Sequence, residues 1–378
     1  MHAERILVVT DEMEVGGSQR QIVHLLRGVK ACGRHASLLY FRRPSFLLDA
    51  LREVAVDVHQ IDKKGRIDLR FLWRLIRFLR AGRFDVVHCF SITAEMWVRL
   101  ALTAVAHTRL ISSVRGLGLD GPDWHWRARR WVIRGSAAVI SNSGAGAELV
   151  AQRCGIPVQA IDVVHNGLPL PPPPSVEQRA QARATLTLPP QRLLLLFVGR
   201  LVAAKNIGLL LRALALLPSA QRPLTWLAGE GPERAELEHA IRAQGLERDV
   251  HLLGERSDTA VLMCAADMLV LCSREEGLSN VILEAMGSAL AVVATAVGGS
   301  TELVEDGVSG KLVANDDAAS LAEALRRLAS DAAAREALGR AARERVEQRF
   351  TVEAMVRHTL SIYDRCVQRR VNRVEALP

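Results

Sequence analysis

Met268-Leu-Val-Leu-Cys-Ser-Arg-Glu-Glu-Gly-Leu-Ser-Asn-Val-Ile-Leu-Glu284 reads as a strand, a loop and the start of a helix. The short continuous apolar run Met268–Cys272 is the pattern of a strand buried on both faces, and Val281–Ser288 has helical spacing. A buried strand feeding a helix through a short loop is the building block of a doubly wound parallel sheet. Two acids sit on this block. Glu276, followed by Gly277, stands at the strand's carboxyl end, and Glu284 lies about two helical turns further on. Such a pair can grip two parts of one polyhydroxylated ligand at the edge where α/β sheets bind ligands. The other reading is a helix N-terminal acid plus a surface acid, and the flanking motifs weigh against it.

The same rhythm runs outward in both directions. In the first half, strands are expected at Ile6–Thr10, Ser37–Phe41, Asp85–Cys89, Arg109–Val114 and Ala137–Ser141, with helices at Ser18–Cys32, Phe46–Glu53 and Thr93–Ala106. His165-Asn-Gly-Leu-Pro-Leu-Pro-Pro-Pro-Pro174 then interrupts, because consecutive prolines lack N–H donors and fix φ; it reads as a semi-rigid connector. The alternation restarts with strands at Arg192–Val198, Pro223–Ala228, Val250–Leu253, Met268–Cys272, Ala291–Thr295 and Gly310–Val313. Helices are expected at Leu209–Leu217, Ala235–Gln244, Val281–Ser288 and Ala318–Ala329, and a final one at Val352–Val371. The expected fold class is α/β, with two Rossmann-like doubly wound domains facing a central cleft.

Composition narrows the function. A chain of 378 residues suffices for two domains with full cores. No apolar run approaches the ~18 residues that span a bilayer, and Met1–Arg5 leads straight into a strand without a signal peptide's apolar region. A cytoplasmic protein is expected. The six cysteines are scattered without a C-x-x-C pair, no His/Cys cluster has zinc spacing, and there is no D-x-D triplet, so no metal site is expected. Charge is uneven: residues 1–170 hold 24 Lys and Arg against 15 Asp and Glu, whereas residues 171–378 hold 25 against 26. The basic first half implies an anionic partner there.

Two loops carry further signals. Gly16-Gly-Ser-Gln19 lies between the first strand and the first helix, where glycines let backbone N–H groups approach a phosphate; a plain turn reads equally well. Phe197-Val-Gly-Arg-Leu-Val-Ala-Ala-Lys-Asn206 places Arg200 and Lys205 on one loop, either as solvated cations or as a pair suited to a diphosphate. The set Gly16-Gly17, Asn166-Gly167, Val198-Gly-Arg-Leu…Lys205-Asn206, Ala228-Gly-Glu-Gly-Pro232, Glu276-Gly-Leu…Glu284-Ala-Met and Val297-Gly-Gly…Glu302-Leu-Val…Gly307…Gly310 resembles the family-4 retaining glycosyltransferases of the GT-B fold (glycosyl transferases group 1). The likeness covers nearly the whole chain in order and is densest across 197–313.

The resemblance implies an N-terminal acceptor-side domain, residues 1–168, with a C-terminal helix at 352–378 packing back on it, and a nucleotide-sugar-binding domain at 169–351. Arg200 and Lys205 match the pair that holds the donor pyrophosphate, Glu284 the carboxylate on the ribose hydroxyls, and Glu276 the acid near the transferred sugar. Backbone groups of Gly277, Leu278, Ser279 and Asn280 assist, and Gly16 and Gly17 belong to the loop over the phosphates. The implied activity is a metal-independent, hexosyltransferase-type transfer with retention. The sugar moves from a UDP- or GDP-sugar to a lipid-linked or cell-surface glycan acceptor, as in polysaccharide or lipopolysaccharide biosynthesis, with no cofactor and no nucleic acid. Two departures stand out. Arg115-Gly116 occupies the place where many relatives carry His-Gly or His-Asp, and Gly287-Ser-Ala-Leu-Ala291 lacks the usual Gly and Pro. His88, at a strand end nearby, reads as a packed histidine or as a catalytic one.

Independently of the family, Lys63–Arg80 spaces Arg66, Arg70, Arg74, Arg77 and Arg80 along one helix face opposite Phe71, Leu72, Leu75, Phe78 and Leu79. A basic amphipathic helix over 63–83, carrying Trp73, suits an anionic membrane surface; it also suits a helix covering the sheet, and both can hold. The cluster Trp124–Trp131 adds to a lipid-facing patch, and the expected location is peripheral, on the inner face of the plasma membrane. Two other functions share features with this reading: a nucleotide-sugar epimerase of the same two-domain plan, and a basic nucleic-acid-binding protein. The latter leaves the acid pair unexplained and has no recognition signature.

Overall fold

A computed structural model describes residues 2–14, 16–116, 123–189 and 191–375. The chain divides into two compact units, Met1–Pro169 with Thr351–Pro378, and Leu170–Phe350.

The first unit is a sheet of seven parallel strands: β1 (Arg5–Thr10), β2 (His35–Tyr40), β3 (Asp57–Gln60), β4 (Val86–Cys89), β5 (Arg109–Val114), β6 (Ala138–Ser141) and β7 (Ile161–Val163), in the order β3-β2-β1-β4-β5-β6-β7. Its switch point, where the order reverses, lies between β1 and β4. The period-2 pleat sends Ile6 and Val8 of β1 to one face and Leu7 and Val9 to the other, and all four are fully buried. Ile6 and Val8 pack with Ile22, Leu26, Met355, Val356 and Tyr363; Leu7 and Val9 pack with Phe71, Leu75 and Leu79. The first set shows that the C-terminal helix Val352–Glu375 covers this sheet beside helix Gly17–Ala31. The helices come close at Gly28, where a Cβ would stand 2.4 Å from Val356 Cγ2. Asp364 fastens the long helix through Arg34 Nη1 and Nη2 (2.5 and 2.9 Å) and the Ala3 N–H (2.8 Å). Residues 376–378 of the expected 352–378 span lie outside the described residues.

The second unit is a sheet of six parallel strands: β8 (Leu194–Val198), β9 (Leu224–Ala228), β10 (Val250–Gly254), β11 (Met268–Leu271), β12 (Ala291–Thr295) and β13 (Lys311–Val313), in the order β10-β9-β8-β11-β12-β13. Here the switch point falls between β8 and β11. Both sheets are therefore doubly wound, as the strand–loop–helix rhythm predicted.

The structure corrects the expected helix at 63–83. The helix runs from Leu69 to Gly82, so Arg66 lies in the loop ahead of it. Gly65 turns that loop at φ +60°, and the Asp68 carboxylate caps the helix by accepting from Phe71 N (2.8 Å) and Lys64 N (2.9 Å). The amphipathic reading survives for the helix itself: Phe71, Leu75 and Leu79 are buried, whereas Arg70, Trp73, Arg74, Arg77 and Arg80 are exposed. The expected Thr93–Ala106 helix ends sooner, at Ala101, and gives way to a 3₁₀ turn at Leu102–Ala104. Short β3 and β7, at the sheet's edges, were not legible in the sequence; each has little apolar run to mark it. Among the described residues, no helix is long and apolar enough to cross a membrane.

The departure at Gly287–Ala291 also has a geometry. Helix Asn280–Gly287 ends with Ala289 N donating to Met286 O (3.0 Å) and Leu290 N to Ala285 O (3.0 Å). This is the paired bonding of a Schellman stop, which asks for a left-handed residue, usually glycine. Ala289 takes that conformation at φ +55°.

Candidate active site

In the second unit, the residues that the sequence singled out gather at the carboxyl ends of β8 and β11, the two strands flanking its switch point. This is where an open α/β sheet leaves a crevice for ligands. β8 runs into Gly199 and Arg200, a 3₁₀ turn at Ala203–Lys205, and Asn206 in the left-handed region. Asn206 Nδ2 donates to Asp316 Oδ1 (2.9 Å), and Arg274 N donates to Ala204 O (2.8 Å), tying the loop after β11 to the loop after β8. The tie brings Lys205 Nζ to 2.6 Å from Glu276 Oε2, which also accepts from Ser273 Oγ at 2.9 Å. Their side chains are 22 and 14 % exposed, so the pair is neither sealed nor fully solvated.

Arg200 differs. It is exposed, and its guanidinium makes no hydrogen bond or ion pair among the described residues. Glu284 is half-buried on helix Asn280–Gly287, which starts from the loop that carries Glu276. Gly277 and Asn280 are partly exposed, while Leu278 and Ser279 are buried. The Ser279 hydroxyl caps the helix by accepting from Ile282 N (3.4 Å). Backbone runs against backbone here: Gly299 N donates to Glu276 O (3.1 Å), and a Cβ on Gly299 would sit 1.9 Å from Gly277 O. A cavity of about 990 Å³ elsewhere in this unit lies against β13 and helices Ala318–Ser330 and Ala332–Arg349. None of the sequence-predicted site residues lines it.

In the first unit, Gly16 is extended (φ −163°) and precedes helix Gly17–Ala31, whose first turn has no acid. The loop before it carries Asp11, Glu12 and Glu14, and the Glu12 carboxyl is pushed up by burial and by those two neighbours. The acids of this loop are partly offset by Arg42 and Arg43, the latter donating from Nη1 to Glu14 Oε1 at 2.6 Å. His88, on β4, is fully buried. Its Nδ1 lies 2.7 Å from Tyr363 Oη and its Nε2 2.9 Å from Ser113 Oγ. Burial, with the charge of Arg115, holds it well below the usual histidine range, so it is a neutral packed histidine. Arg115 donates from Nε to Ser113 Oγ (3.2 Å) and from Nη1 to Asn166 Oδ1 (3.1 Å). Sequence reasoning did not find Ser113, Asn166 and Tyr363. Asn166 lay in a quoted motif, but Tyr363 is 275 positions from His88, and no spacing links them. Among the described residues, no three His, Cys, Asp or Glu side chains gather as metal ligands.

Comparison with known proteins settles the family. The model of Glycosyltransferase Family 4 matches residues 15–170, and that of Glycosyl transferases group 1 matches residues 178–345. The lipopolysaccharide core biosynthesis glycosyltransferase LpsD of Rhizobium meliloti is 31 % identical over 357 residues, covering 94 % of this chain and 97 % of its own. The chain belongs to glycosyltransferase family 4. D-inositol 3-phosphate glycosyltransferase of Nocardioides sp. is 29 % identical over 321 residues, covering 75 % of this chain and 68 % of its own. Among solved structures, Anabaena Alr3699/HepE in complex with UDP and glucose superimposes with a TM-score of 0.83 at 23 % identity, over 94 % of this chain and 98 % of that one. WaaG, a glycosyltransferase involved in lipopolysaccharide biosynthesis, gives a TM-score of 0.74 at 18 % identity over 95 % and 99 %. The fold of this glycosyltransferase is thus GT-B.

Proposed function

We propose that this glycosyltransferase moves a sugar from a nucleoside diphosphate sugar to a lipid-linked or cell-surface glycan acceptor, with retention at the anomeric carbon. The second unit takes the donor and the first unit the acceptor. The observation that carries the reading is the Lys205–Glu276 pair at the switch point of the second sheet, with unpaired Arg200 on the same loop as Lys205. Arg200 and Lys205 hold the diphosphate, Glu284 accepts from the ribose hydroxyls, and Glu276 accepts from a hydroxyl of the transferred sugar through Oε1. That oxygen has no partner among the described residues. The main chain of Gly277–Asn280 approaches the phosphates.

In the reaction, the bond from the anomeric carbon to the diphosphate oxygen breaks as the acceptor oxygen bonds to the same face of that carbon. The departing diphosphate takes the acceptor's proton. Positive side chains fixed near the leaving group stabilise the charge that builds there, usually a large term in such reactions. Arg200 and Lys205 supply that charge, so the transfer runs without a divalent ion and without a cofactor. A UDP-sugar is the favoured donor, since HepE has been solved with UDP and glucose; a GDP-sugar is the other candidate. LpsD, by its name, acts in lipopolysaccharide core synthesis, which supports a glycan acceptor of that kind.

The protein works in the cytoplasm, peripherally on the inner face of the plasma membrane. Helix Leu69–Gly82 turns Arg70, Arg77 and Trp73 outward, beside exposed Ile67, Leu69 and Trp124. Arg66 lies 5.7 Å from the Trp124 ring, joining the loop to that aromatic. Basic side chains near an anionic surface contribute about 1 kcal/mol each.

The test is incubation with UDP- and GDP-sugars in EDTA, with and without lipid-linked acceptor, and proton NMR of the product's anomeric signal. Retained configuration with acceptor present supports the proposal. Conversion of the donor sugar without acceptor would favour the epimerase, and Arg200→Ala or Lys205→Ala leaving donor turnover intact would refute the assignment.

A further inference from the structure

Arg115 follows β5, next to the strand that flanks the first sheet's switch point, and it is held from three sides. Nε–H donates to Ser113 Oγ, Nη1 donates to Asn166 Oδ1, and the guanidinium carbon lies 4.2 Å from the centre of the Phe90 ring. All three contacts are with neutral groups, and no carboxylate pairs with it among the described residues. The Tyr363 phenol nearby supplies no counter-charge, since burial pushes it far above its usual range and keeps it protonated. Burial accordingly pulls the guanidinium itself down to about 10, still charged at neutral pH. A cation drawn partly out of water with no carboxylate beside it has its charge unbalanced within the protein.

Ser113 Oγ, which accepts from Arg115 Nε–H, also lies 2.9 Å from His88 Nε2, and His88 Nδ1 lies 2.7 Å from Tyr363 Oη. Burial, with the charge of Arg115, holds His88 well below its usual range, so no second positive charge stands beside the first, and the bonds to Ser113 and Asn166 fix the plane of the guanidinium. Nη2 donates to nothing among the described residues, and Arg115 keeps partial exposure to solvent. The fork formed by Nη2 and the remaining Nη1–H matches two oxygens of one phosphate or carboxylate.

We propose that Arg115 anchors an oxyanion, a phosphate or a carboxylate, borne by the acceptor sugar. The proposal rests on the reading of the first unit as the acceptor side and names what that side selects: an acidic acceptor over a neutral one. The residue that departs from the family pattern is then a specificity determinant.

The test uses the full chain with inorganic phosphate as probe, followed by ³¹P NMR with saturating UDP present. Binding is compared for the wild type, Arg115→Lys, Arg115→Gln and Asn166→Asp, with UDP affinity and thermal unfolding measured on each. Asn166→Asp keeps Arg115 but places a carboxylate against its guanidinium, so it reports on the site even if Arg115→Gln folds poorly. The expected result is phosphate binding that UDP does not displace, weakened roughly tenfold or more by Arg115→Gln and Asn166→Asp and less by Arg115→Lys, with UDP affinity unchanged throughout. Unaltered phosphate binding in both Arg115→Gln and Asn166→Asp overturns the proposal. Displacement of phosphate by UDP, or loss of UDP affinity in Arg115→Gln, also overturns it, by assigning the anion to the donor. Failure of every form to bind UDP would instead count against the donor reading, and the phosphate comparison would still decide this one.

Discussion

Replacing Glu276 with Gln should strengthen nucleotide binding while it damages transfer, two effects of opposite sign from one atom change. In the structure Lys205 spends its charge on Glu276 across 2.6 Å, in a setting where the two side chains are 22 and 14 % exposed. A diphosphate must share or break that pair before Lys205 can serve it. A half-screened pair of this kind is worth about 1–2 kcal/mol, between the fraction of a kcal/mol of an exposed pair and the 1.5–3 of a charged hydrogen bond. Gln retains the shape, still accepts from Ser273 Oγ, and removes both the competitor for Lys205 and a negative charge beside the phosphates. With 1.4 kcal/mol per tenfold, UDP should bind roughly 5- to 30-fold more tightly. Transfer should fall, because with the amide oxygen kept on Ser273 the NH2 stands where Oε1 stood and cannot accept from the sugar hydroxyl; about a hundredfold is the scale of losing one such group. Calorimetric titration with UDP and initial-rate transfer on the same preparation measure both. Weaker UDP binding by Glu276→Gln would refute the reasoning, since it would mean that the carboxylate supports the nucleotide rather than competing for Lys205.

Asp364 is held down to about 2 because the bonds from Arg34, His2 and Ala3 outweigh the opposing effect of burial. Its folded value lies below the ordinary 3.8, so its contribution is complete above about pH 4 and fades as pH falls towards 2. Asp364→Asn should therefore lower stability at pH 7 by about 2 kcal/mol in urea titration, with the gap from the wild type closing in that acid window. Ala289→Gly should stabilise by about 1 kcal/mol, because it relieves a left-handed alanine at a Schellman stop; an unchanged melting temperature would contradict this. Gly299→Ala should destabilise by about 1–3 kcal/mol and weaken UDP binding, since the new methyl meets Gly277 O and shifts the Glu276 loop. Trp73→Ala with Arg70→Ala and Arg77→Ala should reduce sedimentation with anionic, not zwitterionic, vesicles, leaving UDP affinity intact.

The sequence by itself determined both sheets, because a buried parallel strand is a short apolar run and the helix after it repeats every 3.6 residues. That signal is local, so Arg109–Val114 and Ala291–Thr295 were legible to the residue, whereas the polar edge strand Asp57–Gln60 was not. It also put Arg200, Lys205, Glu276 and Glu284 on the loops and helix after two strands. That those strands, β8 and β11, are neighbours across a switch point is a matter of topology, and so is the ion pair that follows from it. The helix at Leu69 shows the limit of periodicity: the arginine spacing continued back to Arg66, but the Asp68 cap and Gly65 turn ended the helix sooner. Tertiary structure alone decided the role of His88 and the environment of Arg115. Ser113 is local to Arg115, but Tyr363 and Asn166 come from distant segments that only folding brings to His88 and Arg115, and a side chain's charge state is set by what surrounds it in space rather than along the chain.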